Sequence, residues 1–151
     1  MKKIKILLAA TSGGHLTQGL RLFQDLPDTE LVVFSEQSKR LKNLPCRTYS
    51  YRRLCEHFLP TMLASFLKSL YIIIKERPDW VISTGAECGT SAILAAKLLF
   101  RKTIFVETAS RYRTSTASAR IVYPLVDHFY VQHEESLKIF GEKAQYIGGV
   151  L

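Results

Sequence analysis

Apolar runs of strand length alternate along this chain with longer segments of helical period, and few folds accept that order. Ile4–Ala10, Leu31–Ser35, Cys46–Tyr51, Trp80–Thr84, Thr103–Glu107, Phe129–Gln132 and Ala144–Ile147 read as strands. Between them, His15 to Leu26, Phe58 to Lys75, Gly89 to Phe100, Ala117 to Val126 and Glu134 to Phe140 read as helices, with Pro124 expected to end or kink the fourth. Glu36 to Leu44 reads as a polar, basic connection. Strand–helix repetition of this kind builds a parallel sheet, because parallel neighbours need a crossover. The first run is nearly all apolar, as a strand covered on both faces should be. The expectation is one doubly wound α/β domain over residues 1–151, with helices on both faces.

Composition narrows the class further. Hydrophobic residues make up 47% and charged residues 23%, which excludes intrinsic disorder and collagen, coiled-coil or disulfide-knot architectures. The three cysteines, Cys46, Cys55 and Cys88, are odd in number and unpaired in spacing, as idle thiols in a reducing compartment would be. The apolar run from Ile6 to Ala10 is too short for an export signal, so a cytoplasmic location is expected.

In doubly wound sheets ligands bind beyond the carboxyl ends of the strands. That rule selects Thr11–His15, Ser35–Lys42, Thr84–Thr90 and Glu107–Arg113. Ser12, Gly13, Gly14 and His15 lie where a strand gives way to a helix; the glycines suit either a tight turn or a close ligand. The spacing is neither Gly-x-Gly-x-x-Gly nor a Walker loop. His15 has the chemistry of a general base for a hydroxyl, or of a structural cap. Gly85, Glu87 and Gly89 sit in a second such turn, with Thr90 or Ser91 as helix cap. Glu107 stands at a strand's end, where packing does not require an acid, and Arg111 and Arg113 carry forked donors suited to a diphosphate; a salt-bridged surface loop is the alternative.

Metal binding is not expected: His128 and His133 flank a strand, no His-x-x-x-His exists, and the chain lacks Asp-x-Asp. The net charge of +8 is concentrated early, in Lys39, Arg40, Lys42, Arg47, Arg52 and Arg53. Together with the apolar helix 58–75, this basic region 39–53 suits an anionic membrane surface, against the plainer reading of a core helix beside a solvated loop. No motif supports a nucleic-acid partner.

Four segments occur in register: Ser12-Gly13-Gly14-His15, Ser83-Thr84-Gly85-Ala86-Glu87-Cys88-Gly89, Phe105 to Arg111, and Tyr123 to Gln132. The set resembles the PssD/CpsF-type glycosyltransferase subunits of bacterial exopolysaccharide synthesis. It is similar to the membrane-anchoring subunit of the eukaryotic dolichol-linked GlcNAc transferase, and to the N-terminal half of MurG-like GT-B enzymes.

The resemblance implies a Rossmann-like acceptor-side domain and a partner subunit that binds the UDP-sugar donor. The acceptor would be a lipid-diphosphate-linked sugar at the inner membrane face. The reaction would be inverting and metal-independent, without a cofactor. By the same resemblance His15 is the base, Glu107 orients it or the acceptor hydroxyl, and Arg111 steadies a phosphate. Ser12, Gly13, Gly14, Gly85, Glu87, Gly89 and Thr90 line the substrate cleft. The eukaryotic subunits carry an N-terminal membrane helix, whereas this chain begins at its first strand. Two other readings stand beside this one: a non-catalytic anchor and activator of a complete partner, and a stand-alone flavodoxin-like nucleotide-binding domain.

Overall fold

A computed structural model describes residues 3–52, 58–110 and 113–149, with the Phe58 side chain excepted. Its strands are β1 (Ile4–Ala9), β2 (Thr29–Glu36), β3 (Arg47–Tyr51), β4 (Trp80–Ser83), β5 (Lys102–Val106), β6 (His128–Val131) and β7 (Ala144–Tyr146). The helices are α1 (Gly14–Phe23), α2 (Lys39–Lys42), α3 (Phe58–Glu76), α4 (Ala86–Leu98), α5 (Ala117–Val122) and α6 (Leu137–Phe140), the last preceded by a 3₁₀ turn at Glu134–Ser136.

All neighbouring strands are parallel, in the order β3-β2-β1-β4-β5-β6-β7. The order reverses between β1 and β4, and there the loops leaving the two strands part to opposite faces and open a crevice. Leu7 and Leu8 are both fully buried, one toward each face, which is why the first strand had to be apolar throughout. On one face Leu7, Phe34, Phe105 and Phe129 pack under Ile72 and Ile73 of α3, Ala92 and Ala95 of α4, and Val122 of α5. On the other, Leu8, Val33 and Ile82 pack under Leu16 and Leu20 of α1 and Leu41 of α2.

Several boundaries differ from the sequence reading. Helix α1 stops at Phe23 instead of Leu26, since Pro27 disfavours helical backbone at the residue before it. Helix α5 is regular to Val122; Tyr123 still keeps helical backbone (φ −49, ψ −48), and Pro124, which has no N–H to give, ends the ladder. The polar, basic connection 36–44 contains α2, started by the Ser38 hydroxyl accepting the Leu41 N–H at 3.2 Å. Helix α4 begins at Ala86, not Gly89, so Thr90 and Ser91 do not cap it. Leu41 of α2 packs on the face opposite α3, so residues 39–42 and the apolar helix do not form one surface, whereas Arg47 of the same basic region reaches Glu76 at the end of α3 at 2.7 Å.

Candidate functional site

Both helices that leave the switch point start on a glycine. Gly13 (φ 105) precedes α1 and Gly85 (φ 113) precedes α4, and neither helix has a side-chain cap. Uncapped first-turn N–H groups and the helix dipoles make both starts favourable to an anion. Gly13 and Gly14 face open space, with nothing within 4 Å of an added Cβ. Gly85 is different: a Cβ there would lie 3.0 Å from His15 Cε1. The next residue, Ala86, also has positive φ (63°), so two consecutive residues hold a backbone that side chains disfavour.

That turn fixes His15. Its Nδ1 donates to the Thr84 carbonyl at 2.6 Å, and the Thr84 hydroxyl returns a bond to the His15 carbonyl at 2.7 Å. Because a carbonyl only accepts, Nδ1 carries the proton and Nε2 of the neutral ring is left with its lone pair. His15 borders a cavity of about 330 Å³ lined also by Ala86, Thr108, Ser110, Thr116, Ala117 and Ser118. A wall of hydroxyls facing an imidazole suits a polyhydroxylated ligand better than an apolar one.

Glu107 is buried at the end of β5. Its carboxylate accepts the Thr108 N–H at 2.9 Å and the Thr116 hydroxyl at 3.1 Å to each oxygen. Thr116 in turn caps α5 by accepting the Ala119 N–H at 3.1 Å. These bonds tie the end of β5 to the start of α5, and they correct the expectation that an acid there has no structural work. From the bend that follows β6, Gln132 Nε2 donates to the Glu107 carbonyl at 2.9 Å and His133 Nε2 to the Ala109 carbonyl at 2.8 Å. His128 instead packs against Trp80 and Tyr130 on the sheet. Among the described residues no three His, Cys, Asp or Glu side chains are grouped to hold a metal ion.

The remaining expected residues divide. Ser12 is half-buried in the β1–α1 loop, and Glu87 lies in the first turn of α4, where the helix dipole favours a carboxylate. Gly89 lies inside α4, buried against β4: a Cβ would come within 1.9 Å of Ser83 Oγ and 3.1 Å of the Ala9 carbonyl. Its smallness sets helix–strand spacing. The Thr90 hydroxyl donates to Ala86 O at 3.0 Å within its own helix. Arg111 lies outside the described residues, and Arg113 is exposed. Sequence reasoning missed the Thr84 carbonyl, Ala86 and the hydroxyls of Thr108, Ser110, Thr116 and Ser118. The Thr/Ser density of 108–118 was the available signal.

The sheet order and the glycine-started helices at the switch point define a Rossmann-like domain of the kind found in GT-B proteins. The family follows from comparison: residues 47–150 match the model described as oligosaccharide biosynthesis protein Alg14 like, and the chain belongs to that family. It is 27% identical to human UDP-N-acetylglucosamine transferase subunit ALG14, across 99% of this chain and 84% of that one. It is 33% identical to the UDP-N-acetylglucosamine–N-acetylmuramyl-(pentapeptide) pyrophosphoryl-undecaprenol N-acetylglucosamine transferase of Chlorobaculum tepidum, across 94% of this chain and 36% of that one. Among solved structures, MurG of Acinetobacter baumannii superposes with a TM-score of 0.79 at 13% identity, over 97% of this chain and 46% of the other. The chain thus spans between 36% and 42% of the length of the bacterial transferases it matches.

Proposed function

We propose that this chain is the acceptor-side half of a glycosyltransferase that moves a sugar from a UDP donor to a lipid-diphosphate-linked sugar. The observation that carries the reading is the His15–Thr84 bond, which leaves the basic nitrogen of a fixed imidazole beside a hydroxyl-lined cavity. In the proposed reaction His15 Nε2 takes the proton of the acceptor hydroxyl while that oxygen forms a bond to the donor's anomeric carbon. The bond from that carbon to the leaving diphosphate breaks as the new one forms, and its electron pair departs with the UDP. The sugar inverts in this single displacement, and no metal enters the scheme.

Gly13 and Gly14 let the ligand approach the start of α1, Ser12 and Glu87 take sugar hydroxyls, and Arg111 steadies the lipid diphosphate. Glu107 acts on the site through the loop it holds. The donor pocket belongs to a partner subunit of GT-B C-terminal type, docked at the carboxyl edge of the sheet. Human ALG14, named as a transferase subunit, supports this division. We place the pair in bacterial exopolysaccharide synthesis, of PssD/CpsF type, at the inner face of the plasma membrane, where a lipid-linked acceptor resides.

The test is UDP-sugar turnover on a lipid-diphosphate sugar in membranes. It compares this chain alone, the product of the adjacent reading frame alone, the pair, and the pair with His15→Ala. Turnover is expected only from the wild-type pair, with kcat lower by about 10²–10⁴-fold in the variant. Equal turnover with His15→Ala would move the chemistry to the partner and leave this chain an anchor. Absence of turnover in every mixture would overturn the transferase reading.

A further inference from the structure

Helix α5 is short, yet it borders two cavities. Residues at i, i+4 and i+7 share one side of a helix, and here these are the cap Thr116, Arg120 and Tyr123. Thr116, with Ala117 and Ser118, walls the His15 cavity. Arg120 and Tyr123 wall a second one, a groove of about 400 Å³ between α5 and α6 that Ser115, Ile139 and Phe140 complete. Ser115 and Thr116 are consecutive, so the groove begins where the His15 cavity ends. Arg120 stands one helical turn, about 5 Å, further along the same side.

The groove has two chemistries. Arg120 Nε donates to the Ser115 hydroxyl at 2.6 Å, which aims the guanidinium, and no carboxylate among the described residues pairs with it. Helices α5 and α6 both run back from the carboxyl edge of the sheet, so Tyr123, Ile139 and Phe140, at their ends, lie further along the groove than Ser115. That part is apolar: the Tyr123 ring stands edge-on to Phe129 at 4.9 Å and lies 5.6 Å from Phe140, with Ile139 40% exposed at the rim. Lys143 adds a second cation there, its Nζ donating to the Tyr123 carbonyl at 2.8 Å and lying 5.8 Å from the ring centroid. The lining residues include no acid and no side-chain amide, the groups that read a ribose or a base.

We infer that the α5–α6 groove is a binding subsite for a lipid diphosphate. Arg120 grips the phosphate oxygens through its forked donors, held in aim by Ser115, and Tyr123, Ile139 and Phe140 receive the first carbons of the lipid chain. A cation at the mouth and an apolar floor behind it suit an amphiphilic anion better than a free phosphate or a nucleotide. The inference rests on the transferase reading for the identity of the ligand as acceptor, and it gives that acceptor a path. The sugar lies at His15, the diphosphate one turn away at Arg120, and the lipid chain along the groove. Arg120 thereby joins Arg111 as a phosphate ligand.

The test is calorimetric titration of the full chain with farnesyl diphosphate, against inorganic pyrophosphate, farnesol and UDP. Wild-type protein is expected to bind farnesyl diphosphate more tightly than any of the other three. R120A should weaken that binding by about tenfold or more, and R120K by less, because an ammonium keeps the charge and loses the fork. I139S should weaken farnesyl diphosphate by about fivefold and leave pyrophosphate unchanged. K42A, which removes a charge on the opposite face of the sheet, should change nothing. The Ile139 methyl resonances should move when farnesyl diphosphate is added. Absence of binding by the wild type, an unmoved Ile139, an equal loss in K42A, or UDP bound as tightly through Arg120 would each overturn the inference. Turnover by the pair separates the two readings. Farnesyl diphosphate binding lost in R120A with turnover unchanged would remove the groove from the acceptor's path and spare the transferase. Binding through Arg120 with no turnover in any mixture would sink the transferase and leave the groove a lipid-diphosphate site.

Discussion

His15 Nδ1 and the Thr84 carbonyl meet at 2.6 Å across the β1–β4 switch point, and the Thr84 hydroxyl closes the pair by bonding the His15 carbonyl. The two residues are 69 positions apart in sequence. One strand's end therefore sets the tautomer of a ring carried by the other strand's helix. A main-chain acceptor does this without a titrating partner, so the assignment holds wherever the imidazole is neutral.

Gly85→Ala should break this arrangement. A Cβ at Gly85 meets His15 Cε1 at 3.0 Å and Nδ1 at 3.1 Å, and the backbone φ of 113° is closed to alanine. We expect a loss of about 1–3 kcal/mol in unfolding free energy. The more specific sign is at the ring. In wild-type protein ¹⁵N NMR should show neutral His15 protonated on Nδ1, and the variant should show a mixture of tautomers.

Gly89→Ala should destabilise by overpacking, at about 1–3 kcal/mol in urea unfolding. The added methyl meets Ser83 Oγ at 1.9 Å, Ser83 Cβ at 3.0 Å and the Ala9 carbonyl at 3.1 Å. Ser83→Ala removes only the first of these contacts, so the double variant should recover part of the loss and not all. Full recovery would show that Gly89 answers to the Ser83 hydroxyl alone.

These glycines show what a sequence discloses and what it withholds. The strand–helix alternation was legible because each period reports one local geometry, and the open loop at Gly13 and Gly14 was legible because a strand end abuts a helix start. Gly85 and Gly89, four apart, read alike in sequence. Their difference lies in what stands opposite, His15 for one and β4 for the other. Glu107 illustrates the same limit: its carboxylate is spent on Thr108 and Thr116, and nothing local distinguishes such an acid from a ligand-facing one. The orientation of α3 was also hidden. Its period announced a helix, but which face turns inward depends on the small residues Ala92 and Ala95 of α4 across from it.

Thr116 gives Glu107 a donor and α5 its cap with one hydroxyl. Thr116→Val keeps the shape but strips a buried carboxylate of a bond and the first turn of its acceptor. The expected cost is about 1–3 kcal/mol. Thr116→Ser should retain nearly full stability. Hydrogen exchange at the Ala119 amide separates the cases: fast in the valine variant, protected in the serine one.

At the opposite edge of the sheet, Glu76 governs response to acid. Burial raises its carboxyl pKa, but bonds from Tyr49 Oη at 2.5 Å, Lys5 at 3.3 Å and Arg47 at 2.7 Å outweigh burial and hold it below the ordinary carboxylate range. A depressed folded value means the unfolded chain binds the proton first as pH falls. Stability from Glu76 is therefore fully present above the unfolded value, about 4.3, and is lost as pH drops through the lower folded one. Asp127, held below its usual value against burial by Lys97 and Thr103, adds loss in the same direction. Thermal unfolding should thus show a falling Tm below about pH 4.3 and little change between there and neutrality. Glu76→Gln should lower stability at neutral pH by about 1–3 kcal/mol and flatten the acid limb, because the amide has no proton to gain. An acid limb as steep in the variant as in the wild type would assign the dependence to other carboxylates.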